Sequence, residues 1–131
     1  MDGEIPFIGL LITDVRNMVS IWVAENSPNK NFSQIAEIQL ETVVYSCCHI
    51  QKTSNDPGCF LLATSEIIHS FDLKEKKLCA EFQASRDSKV DFLLFDKDRM
   101  LVFSSSNKEV KVWSANNFLS RNPNIIVKKS F

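Results

Sequence analysis

The chain has 131 residues, 44% hydrophobic and 24% charged, which is enough apolar surface for a packed domain and too much for a disordered one. Fifteen basic residues against sixteen acidic leave a net charge of −1, so no strong field is expected to gather nucleic acid or an anionic membrane. The start, Met1-Asp2-Gly3-Glu4, is acidic where a secretion signal is basic, and no run reaches the ~18 apolar residues of a spanning helix.

In chain order, Ile8 to Thr13 is apolar and β-branched, Asp14-Val15-Arg16-Asn17 is a polar turn, and Val19 to Val23 alternates until Glu25-Asn26-Ser27-Pro28-Asn29 breaks it. That is a hairpin. Phe32, Ile35, Ile38 and Leu40 mark a third strand or an irregular edge. Thr42 to Ile50 is dense in β-formers, and Thr53 to Gly58 is a turn in which Pro57 presets one dihedral and Gly58 accepts a positive one. Cys59 to Thr64 is a short buried run, Glu66 to Phe71 alternates, Asp72 to Lys77 turns, and Leu78, Ala80 and Phe82 fall on one face of a further strand. The plan then recurs: strand Val90 to Phe95, turn Asp96 to Arg99, strand Met100 to Ser104, turn Ser105 to Lys108 and strand Glu109 to Trp113. A loop from Asn116 to Asn124, with Pro123, leads to an outer strand at Ile125 to Val127.

One near-repeat organises these strands. Val19-Ser20-Ile21-Trp22, Ile68-His69-Ser70-Phe71 and Val110-Lys111-Val112-Trp113 each alternate and end on a large ring, with a period of about 40 to 50 residues and four short strands per unit. Such spacing predicts an all-β architecture of about three four-stranded antiparallel blades, a partial β-propeller. The units are 1–41, an incomplete first blade lacking a clear first strand, then 42–88 and 89–131, all within one propeller-like domain. Trp22, Phe71 and Trp113 are the expected blade anchors, and Phe92, Phe95 and Phe103 are expected in the core with them. Closed propellers have four to eight blades, so three would leave two apolar faces uncovered. Further blades are therefore expected, from a longer chain or a second chain.

The stretch from Val90 to Ser114 resembles the WD-repeat propeller family, through its strand, the turn Asp96-Lys97-Asp98-Arg99, the apolar-to-Ser strand and Val110-Lys111-Val112-Trp113. Departures accompany the resemblance. Ser85-Arg86-Asp87-Ser88 stands where the family has a Gly-His pair, and the acid after the ring is Val23 in the first unit and Ser114 in the third. Asn107 stands near the family's turn aspartate and Ser104 to Ser106 near its hydroxyl, so the resemblance implies at most a partial buried hydrogen-bond network around Trp113.

It also implies that partners dock on the turns joining second to third strands and one blade to the next. On this sequence those turns hold Arg16, Asn17, Glu66, Arg86, Asp87, Lys89, Asn107 and Lys108. Arg16 and Arg86 lead, because the guanidinium fork suits carboxylate or phosphate. The implied function is a non-enzymatic scaffold or adaptor, cytoplasmic or nuclear, that holds a protein or peptide partner in a multiprotein complex. Single-stranded nucleic-acid binding through exposed Phe and Lys is the alternative.

Catalytic chemistry finds little footing. With three glycines there is no phosphate loop, and no Gly-x-Ser-x-Gly or His-Glu-x-x-His motif occurs. Cys47, Cys48, Cys59 and Cys79 lack the spacing of zinc ribbons or redox dithiols, so neither metal nor cofactor is expected. His49 and His69 read as structural, with no carboxylate placed by sequence to orient either ring. A thiolate pair of Cys48 with His49 is disfavoured because neighbours on a strand face opposite ways.

Overall fold

The computed structural model of the chain describes residues 8–13, 17–24, 32–51, 53, 56–120 and 125–130. Eleven strands and one short helix lie within them. Sheet one joins β1 (Ile8–Thr13), β2 (Met18–Ala24) and β3 (Phe32–Gln39) in that order. Sheet two is a four-stranded meander of β4 (Val44–Ile50), β5 (Cys59–Thr64), β6 (Ile67–Asp72) and β7 (Lys77–Gln83). Sheet three contains β8 (Phe92–Asp96), β9 (Leu101–Ser105), β10 (Glu109–Ser114) and β11 (Ile125–Ser130), also in chain order. Every pairing is antiparallel. The fold is thus all-β and matches part of a propeller, with three strands rather than four in the first sheet among the described residues.

The sheets stack through alternation on their middle strands. On β5, Phe60 and Leu62 face sheet one, where they pack with Val19, Ile21, Leu40, Phe71 and Leu73. Cys59, Leu61 and Ala63, pointing the other way, join Ile50, Ile68, Leu93, Val102 and Trp113 between sheets two and three. All six β5 residues are buried because both faces are covered, which is why the run reads as continuously apolar instead of alternating. Gly58, just before β5, has φ +75° and lies so close to the Ile50 carbonyl that a Cβ would collide with it.

Three expectations need correction. The segment read as a loop from Asn116 begins with a single helical turn, α1 (Ala115–Leu119), whose Phe118 is buried against the rings of Trp113 at 5.3 Å and Phe82 at 5.4 Å. A five-residue helix offers no 3.6-residue period to detect, and burial of one ring fixes it. Phe92, expected in the core, is 52% exposed together with Leu94, because Leu93 between them takes the inward position. The strand boundaries also shift, with β8 starting at Phe92 instead of Val90 and β11 running to Ser130. Arg16, the rest of the turn from Asp14, the break from Glu25 to Asn29, and Pro123 lie outside the described residues.

Candidate functional site

Backbone bonds tie the β1–β2 turn of sheet one and the β5–β6 turn of sheet two to the link that leads from each sheet into the next. Leu40 N–H donates to Asn17 O at 3.0 Å, and Ala84 N–H donates to Glu66 O at 2.8 Å. Asn17 also donates through Nδ2 to Glu41 O at 3.4 Å. The Glu66 carboxylate accepts from Asp87 N–H at 2.7 Å, and the Ser85 and Ser88 hydroxyls bond at 2.9 Å. Positive φ at Asn17, Ser65 and Asp87 lets the chain reverse tightly in these places. Turns far apart in sequence are thereby gathered at one end of the sheets.

Two clefts open there, one at each junction between sheets. The first, of about 440 Å³, is lined by Leu40, Glu41, Thr64, Glu66, His69 and Glu81 among others. The second, of about 300 Å³, is lined by Gln83, Ser85, Arg86, Lys108, Glu109, Lys111 and Lys128. Cross-strand register makes the clefts equivalent: His69 pairs with Glu81 on β6 and β7, and Lys111 pairs with Lys128 on β10 and β11. The same blade position is acidic with a histidine in one cleft and cationic in the other.

Of the turn residues expected from sequence, Glu66 lines the first cleft and Arg86 and Lys108 the second. Asn17 and Asp87 hold the loops through the bonds given above. Asn107 is exposed in the turn before β10. Lys89 lines neither cleft; its ammonium lies 4.6 Å from the centre of the Tyr45 ring, a cation–π contact. Among the ring positions, Phe71 and Trp113 are buried, and the Trp113 indole N–H donates to Ser104 Oγ at 2.9 Å. Trp22 is half-buried and its Nε1 has no hydrogen-bond partner among the described residues.

Sequence reading missed the surroundings of His69. Its Nε2 lies 3.0 Å from Thr64 Oγ1 and its Nδ1 lies 3.5 Å from the Glu81 carboxylate, so a carboxylate does face this ring. The signal was cross-strand pairing, which places Glu81 opposite His69 although twelve positions separate them. Burial lowers the His69 pKa despite the opposing pull of Glu81 and Glu41. The order hydroxyl, imidazole, carboxylate copies a nucleophilic relay, yet Thr64 is only 4% exposed and 3.5 Å exceeds a good N–H···O bond.

Cys48 and His49 do not form a catalytic pair either. Cys48 packs against the core between sheets two and three, whereas the His49 ring lies 5.2 Å from Phe60 and its Nε2 is 2.6 Å from Pro57 O. Burial pushes the Cys48 thiol well above its ordinary pKa and that of Cys59 up to about 12, the reverse of activation. Among the described residues no three His, Cys, Asp or Glu side chains converge as metal ligands.

In the second cleft, Glu109 accepts from Lys111 at 3.3 Å and Lys128 at 3.5 Å. Burial raises the pKa of its carboxyl, but the two ammonium groups outweigh this, and it titrates below its ordinary value. Lys111 Nζ also stands 6.0 Å from the Trp113 ring centre.

Comparison of the folded chain with solved structures places these sheets in a known architecture, a WD40-like β-propeller fold. The WD40 domain of SCAP from fission yeast superposes with a TM-score of 0.64 at 9% identity, over 100% of this chain and 32% of that one. A chain in the crystal structure of a mitotic checkpoint complex matches with a TM-score of 0.58 at 16% identity, covering 95% of this chain and 37% of that one. Hsv2 from Kluyveromyces lactis gives 0.55 at 12% identity, with 97% and 37% covered. This chain therefore spans about a third of the length of the structures it matches. No family model matches its sequence, and no curated protein does.

Proposed function

We propose that the chain is a non-enzymatic scaffold or adaptor that presents the gathered turns of its blades to a protein or peptide partner, in a multiprotein complex of the cytoplasm or nucleus. The carrying observation is the hydrogen-bonded end on which Glu66, Arg86 and Lys108 come together around two clefts. Side chains held on a hydrogen-bonded frame bind with little ordering cost. Further blades, in a longer chain or a second chain, would cover the outer sheet faces.

Thiol pKa values raised by burial at Cys48 and Cys59 and a buried Thr64 support a binding role over a catalytic one. No described helix is long and apolar enough to cross a membrane. The nucleic-acid reading is less well supported, since among the described residues the exposed rings Phe32, Tyr45 and Phe92 belong to three different sheets and offer no continuous stacking platform.

Affinity recovery from cell extract with wild type, Glu66→Lys and Arg86→Glu tests the reading. Loss of the same proteins in both variants, each still melting cooperatively, is the expected result. Full recovery by both would remove this end of the molecule as the docking face. A titration with single-stranded nucleic acid at low and high salt should show no steeply salt-dependent binding.

A further inference from the structure

The two clefts share a wall. Glu66 lines the acidic one and, through its carboxylate, holds the Asp87 N–H of the loop whose Ser85 and Arg86 line the basic one. Opposite charges are therefore displayed side by side on one face.

The basic cleft is a built feature rather than a scatter of surface lysines. Lys111 is buried, its side chain only 10% exposed, with its ammonium paired to Glu109 at 3.3 Å and 6.0 Å from the Trp113 ring centre. Lys128, 55% exposed, shares the same carboxylate. Arg86 and Lys108 are exposed at the rim and have no ion-pair partner among the described residues. Among the described residues, four cations thus face a cavity of about 300 Å³ with one carboxylate, itself bonded to two of them. That excess in a partly desolvated recess calls for an anion of more than one charge, and Arg86 adds the planar donor fork that suits oxygen clusters.

We propose that the cleft between sheets two and three is a phosphate-accepting site that reads a phosphorylated side chain of a peptide partner, while the neighbouring cleft takes a cationic residue of the same peptide. A phosphate monoester carries about −1.5 to −2 charge and three acceptor oxygens, matching the surplus better than one carboxylate. The proposal rests on the scaffold reading and deepens it. A peptide fits better than an anionic membrane, because Glu41, Glu66 and Glu81 on the adjoining cleft would be pressed against the lipid phosphates.

The test uses labelled nine-residue peptide pools with a fixed central phosphoserine and a fixed lysine on one side, read by fluorescence anisotropy. Matched pools carry serine or aspartate at the centre, or alanine for the lysine, and vesicles containing a phosphoinositide form a separate arm. The phosphoserine pool should bind at least about tenfold tighter than the serine pool, with aspartate between them and affinity falling as salt rises. Arg86→Glu with Lys108→Glu, both exposed and so tolerant of substitution, should abolish that preference, and Glu66→Gln should reduce only the gain from lysine. Equal binding of serine and phosphoserine pools, an unchanged preference in the double variant, or tighter binding to vesicles than to peptide would overturn the proposal. Proteins still recovered from extract by wild type in that event would leave the scaffold reading standing, and their absence would end both.

Discussion

The bond from the Trp113 indole to Ser104 Oγ closes a buried donor that would otherwise have no partner. Ser104→Ala should cost about 1–3 kcal/mol in a urea melt, because the indole N–H stays buried while its acceptor is gone. Trp22 holds the matching place in the first unit, with no partner for its N–H among the described residues and its ring half-buried, so Trp22→Phe should cost less than Trp113→Phe. Both histidines carry lowered pKa values, for which burial is the main cause; the Pro57 carbonyl opposes it at His49 and Lys97 adds to it, while Glu81 and Glu41 oppose it at His69. The unfolded imidazole titrates near ~6.5, above the folded one, so protons bind the unfolded chain preferentially as pH falls. Stability from these rings is complete above that value and is lost as pH drops through the folded pKa. Melting temperature should fall between neutral pH and about pH 5, and His69→Gln should flatten part of the slope.

Among the elements, α1 has the least local support: five residues and an N-cap Ser114 without a side-chain bond. Its stability comes from Phe118, wedged between the rings of Trp113 and Phe82. Phe118→Ala should cost about 3–5 kcal/mol, the range for emptying a buried ring site. At the start of β5 the constraint is backbone geometry. Gly58→Ala would set a Cβ against the Ile50 carbonyl at a φ that L-residues resist, and should lower stability by more than ~1 kcal/mol while leaving distant turn contacts intact.

For the molecule as a whole, two cores alternate with three sheets, and the outward face of sheet three displays Phe92 and Leu94, each about half exposed. Apolar side chains adjoining on a sheet surface favour association. Replacing them as Phe92→Lys with Leu94→Glu should reduce concentration-dependent light scattering and change stability by no more than ~0.5 kcal/mol. The clefts are also a property of this scale, since each needs side chains from two sheets and the link between them.

Strand order and sheet grouping were legible in the sequence because period-2 alternation and turn chemistry act between near neighbours: Asp72 caps its own turn by accepting from Lys74 and Glu75 N–H, and Asp96 does so for Arg99. That Glu66, Arg86 and Lys108 stand in turns was legible for the same reason, whereas their candidacy for partner binding came from the family resemblance. Tertiary structure alone decided which of them share a cleft, that Glu81 faces His69, that Lys111 and Lys128 close on Glu109, and that Phe92 points outward while Phe118 is buried. Those facts depend on register across strands and on packing between sheets. Cross-strand partners sit at separations that no local pattern records, and a residue's face becomes inside or outside only when another sheet covers it.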